Sequence, residues 1–148
     1  MSNNNWLRGN SLVDTLVVTK RLNKLREYVG FLKTLRQESK ERFASDPIVY
    51  GSAERYLQLA IQALLDIANH ILSDKKLKEP QEYRDVIKIL GDNGLLPREL
   101  VQRLLPLVGL RNILVHDYMD IDRERLYDAL QKELGDFEEF AKEVGKLL

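Results

Sequence analysis

The chain has 148 residues, enough for one domain to bury a core without covalent staples, and it has no cysteine, which excludes a disulfide framework, a thiolate zinc site and a cysteine nucleophile. Its 23 Lys/Arg balance 23 Asp/Glu, so net charge does not draw the whole molecule to nucleic acid. No apolar run approaches the ~20 residues that span a bilayer and Met1–Arg8 lacks a signal-like pattern, so a soluble, cytoplasmic, single-domain protein is expected.

Residues 1–10 are polar and Asn-rich and read as a short mobile lead. Ser11 or Asp14 can cap a first helix running to about Phe43, since Leu16, Leu22, Leu25, Val29, Leu32 and Leu35 recur at three- and four-residue steps. Residues 1–42 carry nine Lys/Arg against four Asp/Glu, so this helix is either an electrostatic footprint for a nucleic-acid backbone or a solvated face. Ser45-Asp46-Pro47 then punctuates. Asp46 is a good cap and proline is tolerated in a first turn, so a second long helix is expected from about Pro47 to Leu72, with Gly51 allowing close helix approach.

A charged connector, Ser73–Pro80, leads to a short helix over about Gln81–Leu90 and a turn at Gly91-Asp92-Asn93-Gly94. Pro97 starts the next helix, where Leu100, Leu104, Leu105, Leu107, Val108 and Leu110 fall on nearly every side. That pattern predicts burial within the bundle or at a subunit interface, and Pro106 predicts a kink or a division in two. Asp120 or Asp122 caps a last helix with an apolar stripe from Leu126 to Val144, and residues 122–148 hold five Lys/Arg against eight Asp/Glu. With no strand alternation and no internal repeat, the fold class expected is an all-α bundle of four to five helices, the two long ones antiparallel.

The stretch Arg111-Asn112-Ile113-Leu114-Val115-His116-Asp117-Tyr118 sets a guanidinium, an amide, an imidazole and a phenol into apolar, helix-like sequence. On a continuous helix Arg111 and Tyr118 fall nearly on one line, and Asn112 neighbours His116. An Arg fork binds phosphate oxygens through two parallel hydrogen bonds, and a neutral imidazole takes a proton near pH 7, so the pairing suits cleavage of an RNA phosphodiester. Other readings stand beside this one. His116 can be a packed core residue, Arg111 can pair structurally with Asp117 or a neighbouring carboxylate, and Tyr118 can be an amphipathic residue at a helix end.

The Arg-x4-His-x-Tyr pattern resembles the HEPN superfamily, specifically the HepT-like toxins of HEPN–MNT toxin–antitoxin pairs, and Glu54–His70 resembles that family's second long helix. The resemblance implies a HEPN-type bundle, a ribonuclease centre at Arg111, Asn112 and His116, and a homodimer. It also implies that Tyr118 is modified with AMP by an MNT nucleotidyltransferase antitoxin, a bulky anion that would block the cleft and compete for Arg111.

On the second long helix Arg55, Gln58, Gln62, Asp66, Asn69 and His70 recur along one face. A solvent stripe suits Gln58, whereas Asp66, Asn69 and His70 are candidates to line the cleft opposite the motif, where a carboxylate could orient His116 or pair with Arg111. Two histidines without a helical His-x3-His pattern give little to hold a metal, and neither a Walker loop nor a dinucleotide fingerprint is present, so no metal or cofactor is expected. The reading is a metal-independent endoribonuclease whose RNA substrate supplies its own 2′-OH nucleophile, with a twofold dimer bringing two histidines to one cleft. The rival is a non-catalytic helical module that binds a nucleotidyltransferase partner.

Overall fold

Two sequence signals, Asp46-Pro47 and Asp122, start the elements that organise this chain. The computed structural model describes the backbone of residues 2–116 and 121–148, and the side chains of residues 15–116 and 121–148. Among these residues the structure is helical, without strands. The long helices are α1 (Ser2–Leu35) and α3 (Pro47–Asp74), separated by the short α2 (Lys40–Ser45). Next come α4 (Tyr83–Asp92), α5 (Arg98–Val108), α6 (Arg111–Val115), α7 (Arg123–Lys132) and α8 (Leu134–Gly145).

The Asp46 carboxylate accepts the Ile48 amide at 3.0 Å and caps α3, with Pro47 in the first turn where its missing N–H costs nothing. Arg42 donates to the same carboxylate at 2.8 Å, and this bond, with the Ile48 amide, holds Asp46 below the usual carboxylate range. From there α3 runs through the molecule, burying Leu57, Ile61, Leu64, Ile67 and Ala68, and packs against each of the other helices. Tyr28 and Phe31 of α1 meet Tyr56 of α3, while Thr15 and Val18 stand with His70 and Ile71, so the two long helices run antiparallel as expected.

Several expected boundaries move. The helix expected to start at Ser11 or Asp14 has helical backbone from Ser2, over the segment read as a lead, because adding one residue to an existing helix end is cheap even through Asn and Gly. It stops at Leu35 rather than near Phe43, because the Ser39 hydroxyl accepts the Arg42 amide at 3.2 Å and starts α2 separately. Leu16, placed on the core stripe by spacing, is 57% exposed, and Val18 is buried instead. A Cβ on Gly51 would meet nothing within 4 Å, so that glycine marks no close helix approach. The fourth helix starts two residues later than expected, because the Glu82 amide donates to Asp85 at 3.1 Å, and it runs on through Gly91 and Asp92. The left-handed turn residue is Gly94, with φ 72°.

Pro106 lies inside α5, and the chain divides just beyond it, at Gly109-Leu110. The burial expected of this whole segment holds for Leu100, Leu104, Leu107, Val108 and Leu110 but not for α6, which buries no residue fully. Ile113 and Leu114 are half-buried and Val115 is exposed. The single last helix is in fact two, broken at Glu133, whose carboxylate pairs with Arg125. Asp122 caps α7 by accepting the Glu124 amide at 2.8 Å, and Asp120, the alternative cap, lies outside the described residues.

Candidate active site

The site forms where α6 lies against α3 beside the start of α4. Gln62, Asp66 and Asn69 sit at four- and seven-residue spacing on α3 and so share a face. Arg111, the first residue of α6, donates from Nε to Gln62 Oε1 at 3.3 Å, and Gln62 Nε2 donates to Asp66 Oδ1 at 2.9 Å. The Arg111 guanidinium also stands 5.2 Å from the centre of the Tyr83 ring. A ring and a relayed carboxylate therefore hold the guanidinium plane through Nε, and this leaves the two terminal nitrogens as a fork of the shape that suits a phosphate. Beside it opens a cleft of about 510 Å³, lined by Gln62, Leu65 and Asn69 from α3, residues 81–84, and Arg111 and Asn112.

Among the residues expected from sequence, Arg111, Asn112 and Asn69 share this cleft. Asp66 stands behind it and reaches Arg111 through Gln62 rather than by a direct ion pair. His70 does not join them: one residue on from Asn69, it turns about 100° around the helix and lines a different cavity with Thr15, Val18 and the C-terminal Leu147 and Leu148. His116 is exposed at the C-terminal end of α6 with extended backbone, φ −93° and ψ 112°. The helix ends at Val115, so His116 is its C-cap, one helical turn beyond Asn112, and His116 is not part of the lining of this chain's cleft. Asp117 and Tyr118 lie outside the described residues, and with them the expected alignment of Arg111 with Tyr118.

Two contributors escaped the sequence reading. Gln62 looked like one more residue of a polar stripe, and nothing in its spacing distinguishes it from Gln58. Tyr83 had a usable signal: it lies four and seven residues before Ile87 and Leu90, both buried, so the apolar face of α4 extends to it.

Comparison with known proteins agrees with the helical fold. The family described as "HepT-like: Ribonuclease HepT-like" matches residues 19–144. The chain is 35% identical over 121 residues to the mRNA nuclease HepT of Shewanella oneidensis, covering 80% of this chain and 91% of that protein. It is 32% identical over 138 residues to the tRNA nuclease HepT of Aphanizomenon flos-aquae, covering 92% of each. Among solved structures, the tri-AMPylated Shewanella oneidensis HEPN toxin in complex with MNT antitoxin superimposes with a TM-score of 0.81 at 29% identity, covering 88% of this chain and 97% of that one.

Proposed function

This chain belongs to the ribonuclease HepT-like family, and on that premise we propose that it is an RNA endonuclease toxin neutralised by an MNT-type nucleotidyltransferase antitoxin. The observation that carries the reading is the Arg111 guanidinium, tethered by Gln62 and Asp66 and stacked near Tyr83 at the edge of a polar cleft that Asn112 also lines. A fixed cation at that place suits the charge that builds on phosphoryl oxygens during transfer.

In the proposed reaction the 2′-OH of the substrate gives its proton to a general base and attacks the adjacent phosphorus. The P–O5′ bond breaks, and the departing 5′ oxygen takes a proton from a general acid. The products are a 2′,3′-cyclic phosphate and a 5′-OH. His116 supplies an acid–base group, Arg111 stabilises the phosphoryl charge, and Asn112 positions substrate. One histidine cannot be base and acid in the same step. A homodimer brings the second His116, and the exposed position of His116 at the end of α6 next to Val115 supports a cleft completed by another copy. Tyr118 is the proposed site of AMP transfer by the antitoxin.

The test is RNA cleavage in EDTA. His116→Ala and Arg111→Ala should each lose ~10²–10⁴-fold in rate while keeping helical content. Folded variants that cut like the parent would reject the assignment.

A further inference from the structure

We infer that the RNA strand does not end at the Arg111 cleft but continues along a second, basic section of groove beside the α3–α4 connector, where Lys76 and Lys78 hold phosphates flanking the cut. This rests on the ribonuclease reading and names a substrate-binding section that the motif does not contain. The cleft holding Arg111 adjoins a further cavity of about 640 Å³, and Asn69 lines both. The shared wall is one face of α3: Gln62, Leu65 and Asn69 line the first cavity, and Asn69, Leu72 and Ser73 the second, all at three- and four-residue steps. From Gln62 to Ser73 that wall is about 16 Å long at helical rise, the length of about five stacked nucleotides.

The chemistry changes along it in a way that fits a single strand. Beside the Gln62 amide that tethers Arg111, this section offers three side-chain amides, Asn69, Gln81 and Asn112, groups that can hydrogen-bond base edges. The connector section offers Lys76 and Lys78, both exposed, with Glu79 as its acid. Over the two sections together, Arg84, Arg111, Lys76 and Lys78 outnumber Glu79 and Glu82, and Glu82 lies 4.0 Å from Arg84. Lys76 adds an independent observation. It ends α3 in the left-handed region, φ 54°, and the Leu77 amide bonds back to Leu72 O at 3.0 Å, the arrangement in which glycine is favoured. A lysine stands there against the backbone preference, and backbone strain of this kind concentrates at functional positions.

That preference makes a clean test, because Lys76→Gly relieves the backbone while removing the charge. The double variant Lys76→Gly/Lys78→Gln should melt no lower than the parent. The binding probe is a 2′-O-methyl RNA of about twelve nucleotides, within the span of single-strand sites, which has no free 2′-OH and cannot be cut. The variant should bind it about tenfold more weakly, and the salt dependence of log K should flatten by about 1.4, or about 0.7 for each lost phosphate contact. With cleavable RNA, the ratio of kcat/KM for the long strand to that for a dinucleotide should fall about tenfold. Equal affinity and an equal ratio would overturn the inference. So would intact RNA binding with lost capture by the nucleotidyltransferase, which would make the groove a protein-docking surface. If the parent cut neither RNA, the ribonuclease reading would fail, while binding of the methylated RNA would still judge the groove.

Discussion

The side chain that holds Arg111 is neutral, and this bears on function. A carboxylate in direct contact would compete with a phosphate for the guanidinium, whereas an amide orients it and leaves its charge available. Gln62 plays that part, with Asp66 fixing the amide's own orientation. Gln62→Ala should therefore slow RNA cleavage about tenfold, the scale of one hydrogen bond to a charged group, without a matching loss in melting temperature. Gln62→Glu should slow it further by pairing with Arg111 directly. Single-turnover rates decide, and an alanine variant as fast as the parent would remove Gln62 from the site. A second residue-scale prediction concerns Asp136, which is 9% exposed on α8 and lies 3.6 Å from Arg103. Burial pushes its carboxyl above the usual value, and Arg103 only partly offsets this. The folded state then keeps this proton to higher pH than the unfolded chain does, so the group's contribution to stability declines as pH rises through the window just above the ordinary carboxylate value. Asp136→Asn should abolish that decline, so its melting temperature relative to the parent should rise between about pH 4 and pH 7. The lining of the candidate cleft was legible in the sequence where chemistry is rare, as at Arg111 in an apolar segment, and illegible where it is common, as at Gln62 among the polar residues of α3.

Elements divide along a similar line. The start of α3 was readable because Asp46 and Pro47 act locally through a cap and a fixed φ, whereas Pro106 foretold a division without placing it: α5 runs through Pro106 to Val108 and ends at Gly109. The break between α7 and α8 was not readable. Leu130, Leu134 and Phe137 keep helical spacing straight across it, and all three are buried, so the apolar pattern gives no sign that Glu133 leaves the helix for its pair with Arg125. The end of α6 at Val115 was hidden too, because Ile113, Leu114 and Val115 carry apolar sequence right up to it. Gly51 tests the element scale directly. It lies within α3, and a Cβ there would meet nothing within 4 Å, so Gly51→Ala adds helix propensity without a clash. Urea unfolding should show a gain of about 0.5–1 kcal/mol. A loss would mean that this part of α3 is covered in solution.

For the whole molecule, the unevenness of apolar burial matters more than the balanced charge. A core of buried aliphatic and aromatic side chains is closed around α3, yet Val115 is 38% exposed and Ile113 and Leu114 beside it are only half-buried, all within five residues of Arg111. On α3, Ile48, 79% exposed, stands in line with Arg55, Gln62 and Asn69 at seven-residue spacing, so its exposed side belongs to the face that carries the site. Exposed apolar side chains next to the proposed catalytic pair, which lacks a second proton-transfer group, are accounted for together if another copy covers them and contributes its own His116. Val115→Glu puts that to the test. A charge forced into the centre of an interface without a partner costs several kcal/mol, so the variant should fall from dimer to monomer in light scattering, keep its helical signal, and lose RNA cleavage. A variant that is monomeric and still cuts at the parental rate would show that one chain holds both proton-transfer groups. One that stays dimeric and active would place the twofold contact elsewhere on the bundle, because α6 cannot both lie at the centre of the interface and tolerate a carboxylate beside His116.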